Sequence, residues 1–127
     1  MHLKVITKLQ RLAGYDAQIY QGLGSRMHTS TTDVVEAYRA CVEPMGGLNA
    51  SLPIPAGSQW AGSLRQLYAL FGSRDFGIVP AVFAHPMGPA AGATALLQGW
   101  QAAASGVSLE EYASTREELH QAILMNG

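Results

Sequence analysis

Few residues in this 127-residue chain combine type and spacing in a way that could do chemistry. Gln21-Gly22-Leu23-Gly24-Ser25-Arg26-Met27-His28 sets two glycines two apart ahead of a basic side chain. After a strand, such a loop could cradle a phosphate through backbone N–H groups. The full Gly-Lys-Ser/Thr spacing of a nucleoside-triphosphate loop is missing, and a plain surface loop is the alternative. A second small-residue turn, Ala56-Gly57-Ser58-Gln59, leads into a helix pattern. His85 stands near a strand end, before Pro86. It could move protons, but no carboxylate is placed to orient its ring, so a structural imidazole bonded to turn backbone is expected. Cys41 lies on an apolar helix face with no His near it, which marks a small core residue. His2 and His120 read as surface residues, and Trp60 and Trp100 as packing residues. Hard oxygen ligands would have to come from Asp16, Asp33, Asp75 and scattered glutamates, which share no evident site.

The elements that must position these residues alternate. Val5, Leu9, Leu12 and Ala13 recur at helical spacing and predict an amphipathic helix over 3–13, stopped by Gly14. A short strand, Asp16–Tyr20, follows. Asp33 reads as an N-cap with Glu36 completing a capping box, and Val34, Tyr38, Cys41 and Val42 mark that helix's buried face. Ala50–Pro55 reads as a strand weakened by two prolines. Leu64, Leu67, Tyr68 and Phe71 predict the next helix, ended by Gly72. Phe76–Val82 is continuously apolar, as a strand covered on both faces should be. A sharp turn through His85 then feeds a helix from about Pro89 to Ala104. Ser108, with Glu111, caps a last helix carrying Leu109, Tyr112, Leu119 and Ile123. Strands alternating with helices argue for parallel βαβ units. Three strands leave two sheet edges open, to be covered by further structure or by a second copy.

Composition sets the bounds. A chain of this length is one domain, 1–127. It is 48% hydrophobic and 13% charged, enough to bury a core. A net charge of -1 gives no reason to expect nucleic acid or an acidic membrane as partner. One cysteine excludes an internal disulfide framework, so a reducing compartment is expected. Met1-His2-Leu3-Lys4 lacks the apolar core of a signal peptide, and no run reaches the roughly 18–20 apolar residues of a membrane span. A cytoplasmic location is the expectation.

Three motifs carry a family likeness: Gly57-Ser58-Gln59-Trp60, Leu70-Phe71-Gly72-Ser73-Arg74-Asp75, and Ala84-His85-Pro86-Met87-Gly88-Pro89-Ala90-Ala91-Gly92-Ala93. With Leu9-Gln10-Arg11-Leu12-Ala13-Gly14-Tyr15-Asp16 ahead of them, they resemble the C-terminal part of the RuBisCO large subunit. The likeness is closer to the RuBisCO-like proteins sometimes called form IV. It implies an α/β fold, a partial (β/α)8 TIM barrel made of the sixth to eighth βα units and a C-terminal helix. It also implies a parent that acts on an enolisable sugar phosphate by magnesium-dependent lyase or isomerase chemistry of the carboxylase, decarboxylase or isomerase type. Carbon fixation is the best-known case.

Residue by residue, the resemblance makes Gly22 to Met27 the mobile loop over the active site. Arg26 then takes the place of a catalytic lysine that stabilises negative charge on the substrate. Arginine keeps the charge but is bulkier and forked. Tyr20 stands where carboxylating relatives end the strand in His, which loses a group that titrates near neutrality. Gly57, Ser58 and Gln59 match one phosphate-binding turn in degenerate form. Val79-Pro80-Ala81 matches a glycine triplet whose N–H groups hold phosphate, and proline removes at least one donor. The family's magnesium ligands and carbamylated lysine sit on earlier strands, and no Lys-x-Asp-Glu cluster occurs here. The resemblance therefore implies a chain that holds no metal or other cofactor itself and is inactive alone. The alternative is a non-catalytic binding or self-assembling domain derived from the barrel. Either way a homo-oligomer is expected, with no nucleic acid and no membrane as partner.

Overall fold

The computed structural model describes residues 2–24 and 29–126. In order these are α1 (Leu3–Leu12), β1 (Ala17–Gln21), α2 (Thr31–Val42), β2 (Leu52–Gln59), α3 (Ala61–Phe71), β3 (Val79–Pro80), a 3-10 turn (Val82–Ala84), α4 (Pro89–Ser105), α5 (Leu109–Ala113) and α6 (Glu117–Asn126). The sheet order is β1-β2-β3. Residues pack into two compact units, 2–58 with 71–79 and 59–70 with 80–126.

In the first unit β1 and β2 pair in parallel, from Ala17 opposite Leu52 to Gln21 opposite Ala56. Gln18 and Tyr20 on β1, and their partners Pro53 and Pro55 on β2, are buried. Ala17 and Ile19 point to the other, open face. The helix α2 contributes Val34, Ala37, Ala40 and Cys41 to the core. Tyr38 stacks on Phe71 at 4.1 Å.

Several sequence expectations change here. α1 is a helix, but Val5, Leu9 and Leu12 are exposed, while Thr7 and Arg11 are buried. Arg11 inverts the expected face because its guanidinium caps carbonyls inside the unit. It donates to Asn49 O at 2.9 Å, Ala40 O at 3.2 Å and Leu48 O at 3.3 Å, and also to Glu43 O. α2 starts three residues earlier than Asp33 would have it. Ser30 is the N-cap and Asp33 is the third helical residue of the capping box, since Ser-x-x-Asp carries the same reciprocal bonds.

β2 runs from Leu52 on to Gln59, beyond the expected end at Pro55 and through the prolines that were expected to weaken it. In a parallel strand alternate residues bond to alternate neighbours. Leu52 N–H donates to Asp16 O, and Ala56 O accepts from Gly22 N–H, so residues 52 and 56 serve the β1 side. Pro53 serves the other side, where its carbonyl accepts from Gly77 N–H at 3.0 Å and no proline N–H is required of it. The same arrangement shortens β3. Residues 53, 55 and 80 offer no N–H, and only Val79–Pro80 remains as strand. Phe76–Val82 is therefore neither a full strand nor covered on both faces, and Val79 is 44% exposed.

In the second unit Ala61, Ala102, Leu109, Ala113 and Leu119 form the core, with Trp60, Tyr112 and Ile123 packed against it. α4 matches the sequence expectation and ends at Gly106 in the left-handed region, φ 75°. The expected last helix is two. Ser114 Oγ bonds back to Glu111 O, and Arg116 N–H to Ala113 O, which closes α5 after one turn and restarts the chain at Glu117. Ser108 does cap α5, accepting from Glu111 N–H at 3.1 Å. No described helix is long and apolar enough to cross a membrane.

Candidate functional site

In the first unit the strand-end residue Tyr20 is 6% exposed and turned toward α2. Its hydroxyl has no hydrogen-bond partner among the described residues. Burial, and then the charges of Cys41 and Tyr38, push its pKa upward. Ile19, 67% exposed, is the residue that β1 presents on the opposite face. Strand alternation from the buried Gln18 was the signal that could have assigned these faces. Cys41 is fully buried and its thiol is pushed up to about 11, chiefly by desolvation, which makes it a core residue and not a nucleophile.

Arg26, and His28 beside it, lie outside the described residues. The flanking Thr29 donates its hydroxyl to Gln21 Oε1 at 2.6 Å, joining the chain on either side of that stretch. Gly57 and Ser58 both have positive φ, 83° and 55°. Ser58 is the one non-glycine among the described residues to do so, a conformation that L side chains adopt at a cost. Both are exposed, and they lie inside β2, where the sequence reading expected a turn.

In the second unit Gln59 is fully buried, and its backbone carbonyl accepts from Ala81 N–H at 3.3 Å. Its side chain lines a cavity of about 30 Å³ together with Pro80, Ala81, Val82, His85 and Leu96. That volume would hold one or two waters, and the pocket opens to solvent. His85 is 6% exposed. Its Nδ1 accepts from Met87 N–H at 3.1 Å, so Nε2 carries the proton and donates to Glu118 O at 2.8 Å. Both ring nitrogens are thus spent on backbone. The Glu118 carboxyl is held below the usual carboxylate range, first by Gln98, whose Nε2 donates to it at 2.9 Å.

Among the described residues one trio has metal-ligand spacing, His2, Asp33 and Glu36. His2 Nε2 lies 3.5 Å from Asp33 Oδ1 and 3.6 Å from Glu36 Oε2. The trio does not fit magnesium. Magnesium takes oxygen ligands in a tight octahedron, whereas His2 spends Nδ1 as acceptor for Lys4 N–H and keeps its proton on Nε2, facing the carboxylates. The Asp33 carboxyl is held low mainly by the Ser30 hydroxyl, within the helix cap.

Parallel strands that alternate with helices define a segment of an α/β barrel, and solved structures agree. A rubisco-like protein from Burkholderia fungorum superposes with a TM-score of 0.89 at 34% identity, over 98% of this chain and 32% of that one. Octameric ribulose-1,5-bisphosphate carboxylase/oxygenase from Pyrococcus horikoshii OT3 gives 0.85 at 27% identity, over 96% and 30%. The chain belongs to the family described as ribulose bisphosphate carboxylase large chain, catalytic domain, which it matches over residues 1–125. Among curated relatives, the ribulose bisphosphate carboxylase-like protein of Allochromatium vinosum is 52% identical over 129 residues, 100% of this chain and 28% of the relative. The 3-oxo-isoapionate-4-phosphate decarboxylase of Rhizobium etli is 31% identical, over 97% of this chain and 30% of the relative. The chain thus spans less than a third of the length of these relatives.

Proposed function

We propose that this chain is the C-terminal βα segment of a RuBisCO-like enzyme whose complete form enolises a sugar phosphate with magnesium, and that it has no activity alone. The observation that carries the reading is the family match over residues 1–125 at less than a third of the relatives' length. The Rhizobium etli relative, named for decarboxylating a phosphorylated 3-oxo compound, favours carbanion chemistry next to a carbonyl. Both nitrogens of His85 are bonded to backbone, so that residue is occupied structurally. In a barrel the working residues gather at the C-terminal ends of the strands. On this reading the exposed Gly57 and Ser58 near the C-terminal end of β2, and Arg26 beyond β1, are this segment's contribution.

The test is proton exchange into ketose phosphates in D2O with magnesium, followed by NMR. This chain alone is expected to give none. A chimera in which it replaces the matching part of the Allochromatium vinosum relative is expected to exchange wherever that relative does. A folded chimera that stays silent on compounds its parent exchanges overturns the reading.

A second reading, a self-assembling domain, is favoured by one observation. Val5, Leu9 and Leu12 on α1, and Ile19 on the edge strand β1, are 46–67% exposed. Edges and apolar faces of this kind drive association. Light scattering on the purified chain decides it, and a clean monomer at high concentration removes it. A homo-oligomer, as in the octameric Pyrococcus horikoshii relative, and a cytoplasmic location belong to the same proposal.

A further inference from the structure

We infer that His85 is a proton-operated latch, through which pH controls how the bend at residues 85–88 is held against α6. This goes beyond the enzymatic reading above and does not depend on it. The latch is built locally. Pro86 has no N–H, so the Met87 amide is the first that can reach back to the ring, and it donates to Nδ1 at 3.1 Å. The other nitrogen crosses to α6, where Nε2 donates to Glu118 O at 2.8 Å. One side chain thus joins two segments that are 33 residues apart in sequence. The joint works only while the ring is neutral, because an imidazolium has two donors and no acceptor.

A proton on Nδ1 breaks one side of the joint and spares the other. Two N–H groups would then face each other at 3.1 Å, so Met87 must move away. Nε2 keeps its proton and its bond to Glu118 O. α6 is also held at this point without the ring. Gln98 on α4 donates from Nε2 to Glu118 Oε2 at 2.9 Å and accepts from Leu119 N–H at 3.1 Å. The bend keeps one bond of its own, Gly88 N–H to His85 O at 2.9 Å. Met87 is 52% exposed, so it has room to shift outward. The proton has a way in and a counter-charge. The cavity that His85 lines opens to solvent, and the Glu118 carboxylate interacts with the charge of the ring. Of the elements around the ring, α4 and the 3-10 turn carry no charged residue, and α6 adds Glu117 and His120 to Glu118. Arg65 on α3 is turned to Val107 O. Imidazole is the side chain whose charge ordinarily changes between pH 5 and 8. The latch thereby puts the chain between the last strand and α4 under proton control.

The experiment follows the 15N-labelled natural chain by NMR from pH 8 to pH 5. Long-range correlations from the ring protons report each histidine separately. His85 is expected to show the Nε2–H tautomer at pH 8 and to become an imidazolium within that range. The Met87 amide is expected to shift with the same midpoint. Its exchange protection, corrected for the intrinsic effect of pH, is expected to fall about fivefold, the worth of one hydrogen bond. Leu119, held by Gln98, is expected to keep its protection. His85→Asn is the comparison, since its side-chain oxygen can stand in for Nδ1 and does not titrate. Its Met87 amide is expected to stay unchanged over the same range. The inference is overturned if the ring titrates and Met87 does not follow, if the ring stays neutral down to pH 5, or if the Asn variant keeps the Met87 step. It also falls if Leu119 loses protection together with Met87, which marks unfolding of the whole unit. The natural chain alone decides three of these outcomes, so a variant that does not fold leaves the test intact. None of them needs turnover, so the latch and the enzymatic reading fail separately.

Discussion

Gly92 packs against Val82 with no room for a side chain. A Cβ built on Gly92 would meet the Val82 carbonyl and lie 3.0 Å from Val82 Cα. The obstacle is backbone, which cannot swing aside as a side-chain tip can. Gly92→Ala is therefore expected to lower stability by about 1–3 kcal/mol, the range for forced overpacking, in urea unfolding followed by circular dichroism. Gly77→Ala is the control. Its nearest neighbour would be Ile54 Cγ1 at an ordinary 3.4 Å, so a cost under about 1 kcal/mol is expected.

Arg11 is the polar keystone of the first unit. It is 3% exposed and binds carbonyls at the end of α2 and in the loop that follows. Arg11→Met leaves those carbonyls without a donor in a buried place. A loss of about 3 kcal/mol or more is expected. Arg11→Lys should rescue little of it, because a single ammonium cannot span the positions a planar fork reaches. Thermal melts of the three proteins check both statements.

Much of this was readable from the residues. The βαβ order, α4 with its glycine stop, and the Leu64–Leu67–Phe71 stripe all follow from local periodicity and caps, which depend on near neighbours in the chain. What could not be read depends on neighbours distant in sequence. Nothing local tells α1 that Arg11 will find carbonyls near residues 40–49 and turn the helix over. The apolar run Phe76–Val82 looks like a buried strand, and only its pairing with a proline-bearing β2 reduces it to two residues. The same holds for the candidate site. The motif around His85 was plain, but that Ala81 N–H is spent on Gln59 O appears only once β2 and the residue after β3 are side by side.

Tyr20 gives a different kind of test. Its hydroxyl is buried without a partner among the described residues. A buried polar group in that position costs stability. Tyr20→Phe removes it at nearly constant shape, so unfolding midpoints should be unchanged or raised. Ile19→Asp, two faces apart in effect though adjacent in sequence, alters the open face instead. It should leave the midpoint within about 0.5 kcal/mol, as exposed substitutions do, and should lower any self-association seen by light scattering. A clear loss of stability in Tyr20→Phe would mean that the hydroxyl has a partner after all.

Cys41 sets the behaviour at high pH. Its thiol is pushed up to about 11 from an ordinary value of 9.0, with desolvation the main cause and the nearby Arg11 charge opposing it. In the folded chain the proton is held more tightly than in the unfolded one. The resulting stability is fully present below the unfolded value and is lost as pH rises through the folded value. Unfolding free energy should therefore decline from about pH 9, and Cys41→Ala should remove the part that sets in between pH 9 and pH 10 while costing some packing at every pH; the buried Tyr20 hydroxyl, raised from 10.0, sustains the decline above that. The same burial predicts reactivity. A thiol reagent such as dithiobis(nitrobenzoate) should modify Cys41 slowly at pH 8 in the folded chain and rapidly in denaturant. Rapid modification of the folded chain would place the thiol at the surface and remove the cause assigned to its shift.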